Sequence, residues 1–264
     1  MQRVLGNCPN QPLPNRASKI GVVIADAPQM HRTLDQALLP ALARKGQHVD
    51  PANVVAINLG SDSAVLSGIQ NAVLKFRSSG VTHVIIIDGG GGITLFFAQD
   101  ARQQKYFPRY GLDSYNGAQL WINTGVLAPA DFAGAVGAGW VPLLDLPAAK
   151  NPLNGPSSNK ARQRCVALMK AGGQDLPDVN AERHAVNLCD ELWLIEAGFR
   201  KPGATPTRDS FLASVASLGS SFVDGQTFTT NFSPRPRDGV STAQAFTMDG
   251  SCNCFAYVGP RLPL

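Results

Sequence analysis

Short runs of β-branched residues alternate with helical patterns through the first half of the chain. Three such runs are KIGVVIA at residues 19–25, NVVAINLG at 53–60 and VTHVIIID at 81–88. Runs that are apolar on both faces indicate strands that are covered on both sides, as in a parallel sheet. Strands that alternate with helices at this spacing predict an α/β fold with a doubly wound parallel sheet and helices on both of its faces.

The predicted lobe covers residues 18–140. Its first helix, at 32–46, carries a capping-box pattern at Thr33 and Gln36 and an internal Pro40, which we expect to kink it. The remaining helices and strands of this lobe are predicted at residues 63–80, 94–105, 109–114, 116–123 and 134–145.

The pattern changes after Asp145. Residues 146–160 are rich in Pro, Asn, Ser and Ala, which is typical of a loop between lobes. Helices are predicted next at 159–171, 181–199 and 207–218, and a terminal hairpin at 241–249 and 254–258. No buried parallel strands accompany these helices, although an amphipathic helix needs a layer to cover its apolar face. The chain therefore divides into an N-terminal extension at 1–17, a complete lobe at 18–140 and a partial second lobe at 141–264.

The helix predicted at 181–199 has one strongly apolar face. That face is made by Ala185, Leu188, Cys189, Leu192, Ile195 and Phe199. In a partial lobe it would either lie exposed or fold back on the first sheet, and an exposed patch of this kind favours self-association.

Composition argues against several classes of partner. The 23 Lys and Arg residues exceed the 19 Asp and Glu residues by four, but they are scattered and form no basic stripe, so we expect no nucleic-acid partner. No window of about 18 apolar residues predicts a membrane span. The five cysteines and four histidines lack metal-site spacing, so we expect no metal.

Four consecutive glycines follow Asp88 at the end of the third predicted strand. Such a turn could bind a nucleotide, allow tight packing, or keep side chains out of a ligand cleft. The dinucleotide fingerprint lacks its third glycine, since Leu95 stands there, and no Gly-Lys-Ser/Thr of a phosphate loop is present. The strand-end carboxylates Asp26 and Asp88 could pair, although helix capping is the ordinary role of such an aspartate. The sequence favours a ligand-facing loop.

The order of elements resembles a known family. SKIGVVIADAPQMHRTLDQALLPALARKGQHV and AVLKFRSSGVTHVIIIDGGGG resemble the second lobe of type I periplasmic binding proteins, the branched-chain amino-acid receptors of ABC transporters. AVNLCDELWLIEAGFRKPGATPTRDSFLASVASLG resembles the late helix pair of that family. The resemblance covers about 18–258. In the family another lobe precedes the first strand found here, so the resemblance implies a truncated receptor with a weakened hold on its ligand.

The family implies a function without catalysis. The resemblance implies an exported or periplasmic solute-binding protein without a cofactor, whose signal peptide is not in this chain. It would bind a small polar molecule such as an amino acid in an interlobe cleft and deliver it to a membrane permease. Two alternatives stay open: a Rossmann-like nucleotide-dependent enzyme and a receptor-type sensor domain, because fold alone does not choose among them.

The resemblance also implies ligand contacts from three strand ends. These contacts are Gln29, Met30 and His31 after the first strand, Gly89, Gly90, Gly91 and Gly92 after the third, and Asp113, Ser114 and Tyr115 at the end of the fourth. Branched-chain receptors often have an aromatic residue at the glycine loop and an acid at the end of the fourth strand. Here glycine replaces the aromatic residue, and Asp113 or Ser114 stands at the second position.

Export favours a disulfide between two of the cysteines. Cys165 and Cys189 lie on apolar faces of neighbouring predicted helices, and we expect them to pair. Cys8 is expected to stay unpaired, to pair with Cys252 or Cys254, or to pair with a partner outside this sequence.

Overall fold

The computed structural model describes residues 18–147, 150, 159–200, 207–234 and 239–264. The predicted extension at 1–17, with Cys8, and most of the predicted loop at 146–160 lie outside the described residues. Contacts divide the chain into two compact units. Unit 1 comprises the described residues up to Gly139 together with Ala245–Val258, and unit 2 comprises those of Trp140–Gln244 and Gly259–Leu264. The chain thus passes three times from one unit to the other.

A seven-stranded sheet runs in the order β2-β1-β3-β4-β5-β6-β7. Its strands are β1 (Ile20–Ala25), β2 (Val54–Ile57), β3 (His83–Ile87), β4 (Arg109–Asp113), β5 (Val136–Gly139), β6 (Thr242–Asp249) and β7 (Cys254–Pro263). β1 pairs in parallel with β2 and β3, and β4 pairs in parallel with β3 and β5. The predicted doubly wound parallel sheet is therefore confirmed. Its strand order reverses between β1 and β3, which makes their carboxyl ends the topological switch point.

Helices cover both faces of the parallel strands. They are α1 (Pro28–Thr33), a π-helical turn (Leu34–Leu38), α2 (Leu39–Ala43), α3 (Asp62–Ser79), α4 (Gly92–Gln103) and α5 (Ala118–Asn123). Alternate residues of β1 separate into two layers. Val22 and Ile24 pack with Leu38 of the π turn, whereas Val23 belongs to the cluster that contains Phe97 of α4.

Two local predictions for this unit are wrong. The first helix begins at Pro28, and Thr33 does not cap it, since its hydroxyl donates to the Gln29 carbonyl (3.0 Å). Pro40 has no N–H, and the helix widens into the π turn just before it, where the Leu39 N–H donates to the carbonyl oxygen of Leu34.

The strand predicted at 134–145 ends at Gly139, because Pro142 opens a short helix, α6 (Pro142–Asp145).

Three longer helices lie in the described part of unit 2. They are α7 (Lys160–Ala171), α8 (Val179–Phe199) and α9 (Arg208–Ala216). A small core at Val141, Cys165 and Val186 holds α7 against α8. The guanidinium of Arg162, which is almost fully buried, donates to Glu182 across the same pair (2.5 Å). Within the described residues, no helix is both long enough and apolar enough to cross a membrane.

The apolar face predicted for the second of these helices is largely exposed. The exposed fractions of Leu188, Leu192, Ile195 and Phe199 are 56%, 64%, 47% and 57%. Ala185 from the same predicted face is buried, as are Val186, Asp190 and Gly198. Of the two outcomes given above, exposure of this face or its packing on the first sheet, the structure shows exposure.

Within the part of the chain that the structure describes, two disulfides are present. One joins Cys165 of α7 to Cys189 of α8, with their Cα atoms 5.9 Å apart. The other joins Cys252 to Cys254 in the turn between β6 and β7. Because these last two bond to each other, neither is available to Cys8, and the expectation that one of them pairs with Cys8 is wrong.

Candidate ligand-binding site

The glycine turn links the end of β3 to the beginning of α4, at the switch point of the sheet. Gly91 has a left-handed backbone (φ +76°), and a Cβ there would lie 2.9 Å from the carbonyl oxygen of Asn116. Only glycine fits that position without strain. Gly90 differs, because a Cβ built on it would meet no atom within 4 Å. The tight turn thus needs Gly91, whereas Gly90 leaves space open.

A pocket of about 320 Å³ lies beside this turn. It is lined by Ala25, Ala27, Gln29, Met30, Leu59, Val65, Asp88, Gly89, Gly90, Gly92, Ile93 and Phe96. These residues come from the carboxyl ends of β1, β2 and β3 and from the helices that follow them. Ligands of open α/β sheets bind at this place, and the volume falls at the small end of the range of ligand pockets.

Asp88 lies at the inner wall of the pocket, and backbone amides satisfy its carboxylate. Its Oδ1 accepts from the Gly90 N–H (3.1 Å) and its Oδ2 from the Thr94 N–H (3.1 Å). The carboxylate therefore caps the turn and the first turn of α4. Asp26 instead pairs with His31, with 2.8 Å between Oδ1 and Nε2, so each of the two strand-end aspartates has a local partner.

A hydrogen-bond network ties the glycine turn to the end of β4. The side-chain N–H₂ of Asn116, a fully buried residue, donates to the hydroxyl of Thr94 (2.9 Å) and to the carbonyl of Ile86 (3.3 Å). The indole N–H of Trp121 donates to the Gly91 carbonyl (3.2 Å). These bonds hold Gly91 and the first turn of α4 in place, so the glycine turn has a defined shape before any ligand binds.

Asp113 is a second carboxylate at this edge of the sheet, and it is half-buried. Its pKa is raised to about 6, mainly because burial removes water from the charged form and to a smaller extent because of the negative charge of Asp88. The backbone N–H groups of Tyr115 and Asn116 donate to its Oδ1 and act in the opposite direction. The edge therefore carries two acidic groups, the buried Asp88 and the half-buried Asp113, within electrostatic range of each other.

The predicted ligand contacts fall into two sets. Gln29, Met30, Gly89, Gly90 and Gly92 line the pocket. The other five do not line it: His31 pairs with Asp26, Gly91 packs on Asn116, Asp113 is the last residue of β4, and Ser114 and Tyr115 follow that strand. Ser114 is fully buried, whereas 51% of Tyr115 is exposed. Ligand contact by any of the ten residues stays a prediction.

Six apolar lining residues were not predicted as ligand contacts from the sequence. They are Ala25, Ala27, Leu59, Val65, Ile93 and Phe96. Leu59 and Phe96 are 52% and 39% exposed, although both are large and apolar. Leu59 lies at the end of the second β-branched run, two residues after the last residue of β2, and that position was the available signal, because residues at the carboxyl ends of parallel strands meet at one edge. Among the described residues, no three His, Cys, Asp or Glu side chains are grouped closely enough to hold a metal ion.

Comparisons with solved structures identify the fold, whereas comparisons of sequence do not. Neither the protein-family models nor the curated protein sequences give a match. Solved structures do match. An ABC-transporter solute-binding protein from Rhodopseudomonas palustris, in complex with 4-hydroxybenzoate, has a TM-score of 0.58 at 11% identity, over 93% of this chain and 60% of its own.

Two further structures match in the same way. A second protein from Rhodopseudomonas palustris has a TM-score of 0.51 at 11% identity, over 92% of this chain and 64% of its own. A leucine-binding protein from Thermotoga maritima has a TM-score of 0.47 at 14% identity, over 92% and 60%. This chain therefore spans less than two thirds of the length of each. The likenesses above a TM-score of 0.5 confirm the predicted fold, which is that of type I periplasmic binding proteins.

Proposed function

We propose that this chain acts as a solute-binding protein of an ABC-type transport system and binds a small molecule at the carboxyl edge of its parallel sheet. The observation that carries this proposal is the pocket at the switch point between β1 and β3. Its walls come from loops that follow strands, which is where an α/β scaffold holds a ligand. The network at Asn116 holds one wall in place, so little ordering would be needed on binding.

The fold supports the transport context. One structural neighbour is an ABC-transporter solute-binding protein with bound 4-hydroxybenzoate, and this chain shares its fold over 93% of its own length. The partners that follow from this proposal are a small solute and the membrane permease that receives it. Two disulfides support a site of action outside the cytoplasm, in the periplasm or at the cell surface.

The residues that line the pocket argue for binding without catalysis. Among the described residues that line it, the pocket has no Ser, Cys, Lys or His, and the carboxylate of Asp88 accepts two backbone hydrogen bonds. A nucleophile beside a general base is therefore absent from this wall. The alternative reading as a nucleotide-dependent enzyme also lacks its glycine fingerprint, since Leu95 stands at the third position.

Calorimetry with a defined panel of solutes tests the proposal. The panel comprises L-leucine, L-phenylalanine, 4-hydroxybenzoate, small amides, ATP and NAD. We expect saturable one-to-one binding of at least one amino acid or aromatic acid and no heat from either nucleotide. Phe96→Asp, which places a charge on the pocket rim, should weaken that binding by about tenfold or more. Leu66→Asp, at an exposed leucine outside the pocket, is the matched control. Binding of a nucleotide alone would overturn the proposal.

A further inference from the structure

The disulfide in the turn between β6 and β7 closes a very small ring. It joins Cys252 to Cys254, with Asn253 between them. The disulfide between Cys165 and Cys189 instead joins two helices and spans 24 residues. A cross-link stabilises a fold by restricting the unfolded chain, and the effect grows with the length of the loop that it closes. Because this stabilisation is mutual, the fold strongly favours the oxidised form of the long-range pair and only weakly that of the short pair.

Other contacts define this turn besides the sulfur–sulfur bond. The N–H and the hydroxyl of Ser251 both donate to Oδ1 of Asp249 (2.8 and 2.7 Å). Asn253 has a left-handed backbone (φ +50°), which asparagine adopts more readily than most residues. These features do not require the bond, so we expect the turn to keep its shape when the bond is broken. The two thiols would then stay close enough to form the bond again.

The residue after Cys254 anchors one side of the turn. Phe255 is buried, and its N–H donates to the side-chain oxygen of Gln119 (2.7 Å). Its ring packs edge-on against Phe246, with 5.3 Å between the ring centroids. These contacts hold the beginning of β7 in place whether or not the sulfur of Cys254 is bonded. Reduction would therefore break the disulfide without releasing the strand.

Solvent reaches one of the two cysteines in the turn. Cys254 is buried, whereas Cys252 is half-buried and lies between the exposed Ser251 and Asn253. Thiol–disulfide exchange requires a thiolate to reach one sulfur atom while the other leaves. Cys252 is therefore the sulfur open to attack, and Cys254 is the one that leaves. Exposure alone does not separate the two disulfides, since Cys189 is half-buried as well, and the difference between them lies in the length of the loop.

We propose that Cys252 and Cys254 form a redox-active site that exchanges electrons with thiols and disulfides from solution, while the bond between Cys165 and Cys189 stays oxidised. A thiolate of a dithiol attacks Sγ of Cys252, the sulfur–sulfur bond breaks, and Cys254 leaves as a thiolate that takes up a proton. The second thiol of the dithiol loses its proton and attacks the reductant sulfur of the mixed disulfide, which releases Cys252 as a thiolate that is then protonated. The pair gains two electrons and two protons, and the dithiol becomes a disulfide. Neither Cys252 nor Cys254 lines the pocket, and the inference does not rest on the solute-binding function.

Reduction of the folded protein tests this site, and the other disulfide is the internal control. We would incubate the Cys8→Ser variant, which lacks the fifth cysteine, with increasing dithiothreitol, trap the free thiols with N-ethylmaleimide and map them by mass spectrometry. We expect half-reduction of Cys252 and Cys254 at a dithiothreitol concentration at least about tenfold below that for Cys165 and Cys189. Equal concentrations for the two pairs, or reduction of Cys252 and Cys254 only in urea, would overturn the proposal.

Reoxidation tests whether the reduced pair passes its electrons on. After dithiothreitol is removed, we would add oxidised glutathione to the reduced Cys8→Ser protein. We expect each chain to release about two molecules of reduced glutathione, with glutathione attached transiently to Cys252, and to regain the bond to Cys254. In the same background, the double variant Cys252→Ala, Cys254→Ala should lose this release, and the control Cys165→Ala, Cys189→Ala should keep it. Glutathione that stays attached to the chain, or disulfide-linked dimers, would show that the two thiols do not close and would overturn the proposal.

Discussion

Asp113 is a carboxylate whose burial should make the stability of the protein depend on pH. Its folded-state pKa of about 6 lies above the ordinary value of 3.8. A raised pKa means that the folded protein binds the proton more tightly than the unfolded chain does. The stabilising contribution is therefore complete below about pH 4 and is lost as the pH rises through about 6.

We predict that Asp113→Asn makes the protein more stable at neutral pH. The amide oxygen can still accept from the N–H groups of Tyr115 and Asn116, whereas the buried charge is removed. A shift of about two pKa units corresponds to about 3 kcal/mol at most, present near pH 7.5 and absent near pH 4. Urea unfolding at both pH values measures it. Asp175→Asn, at an exposed position, should change little, and an equal gain of Asp113→Asn at both pH values would contradict the assignment.

The glycine turn shows what could be predicted at single residues. The sequence predicts that Gly89–Gly92 follow a strand and face a ligand region, because parallel strands end at a common edge. It does not tell which glycine is needed for the fold. Gly91 is required by the Asn116 carbonyl, which comes from 25 residues further along the chain, whereas Gly90 faces open space. The difference between Gly90 and Gly91 depends on a tertiary contact, and no sequence pattern near the turn indicates it.

Among the elements, β5 is held by unusually close packing. Gly137 lies next to Leu112 in the parallel pairing of β5 with β4. A Cβ on Gly137 would lie 2.4 Å from the Leu112 carbonyl oxygen and 2.4 Å from the Phe246 ring. The backbone oxygen cannot move without breaking the sheet, so only glycine is compatible with this register.

We predict that Gly137→Ala destabilises the protein by about 1–3 kcal/mol, which is the usual range for overpacking. Gly68→Ala, in the middle of α3, is the control. Its Cβ would lie 3.5 Å from the Ile57 side chain, an ordinary contact, and alanine favours a helix over glycine by about 1 kcal/mol. Thermal unfolding should therefore move in opposite directions for the two variants. A stabilising effect of Gly137→Ala would show that the close approach is relaxed in solution.

Elements with strong periodicity were predicted well, and their ends were not. The β-branched runs that became β1 and β3 are apolar on both faces, and burial in a parallel sheet requires that pattern. The strand predicted through Pro142 ends early because proline lacks the N–H that a ladder needs. The π turn before Pro40 was predicted only as a kink, since the sequence shows the missing donor but not how the helix adapts.

At the scale of the whole molecule, the two disulfides should differ strongly in effect. The bond between Cys165 and Cys189 spans 24 residues, and its loss should cost about 3–4 kcal/mol by the loop-entropy model. The bond between Cys252 and Cys254 spans two residues, and the same model gives about 1 kcal/mol. We predict that the double variant Cys165→Ala, Cys189→Ala lowers the denaturation midpoint far more than Cys252→Ala, Cys254→Ala.

Amide hydrogen exchange would show which helices and strands are destabilised when the disulfide between Cys165 and Cys189 is removed. In the first double variant, we expect faster amide exchange in α7 and α8, which the bond joins, and little change in β1 and β3, which belong to the other unit. Uniformly faster exchange in both units would mean that they unfold together and would contradict this expectation.

The reading of a truncated receptor stays a prediction. This chain spans 60% of the length of the 4-hydroxybenzoate-binding neighbour, and the α8 residues Leu188, Leu192, Ile195 and Phe199 are exposed. The calorimetric panel described above would test this prediction, because a receptor with a weakened hold on its ligand should bind its solute weakly.

The identity of the ligand could not be predicted from the sequence, since the apolar rim of the pocket is assembled from residues that follow three different strands.

The return of Ala245–Val258 to unit 1 has a consequence for biosynthesis. Phe255 in this segment packs against Phe132 (5.7 Å between ring centroids), and its N–H donates to the Gln119 side chain (2.7 Å). A ribosome synthesises this segment only after the whole of Trp140–Gln244. Until then the nascent first unit lacks one of the aromatic rings that pack on Phe132, and we expect chaperones that recognise exposed aromatic residues to bind it during that interval.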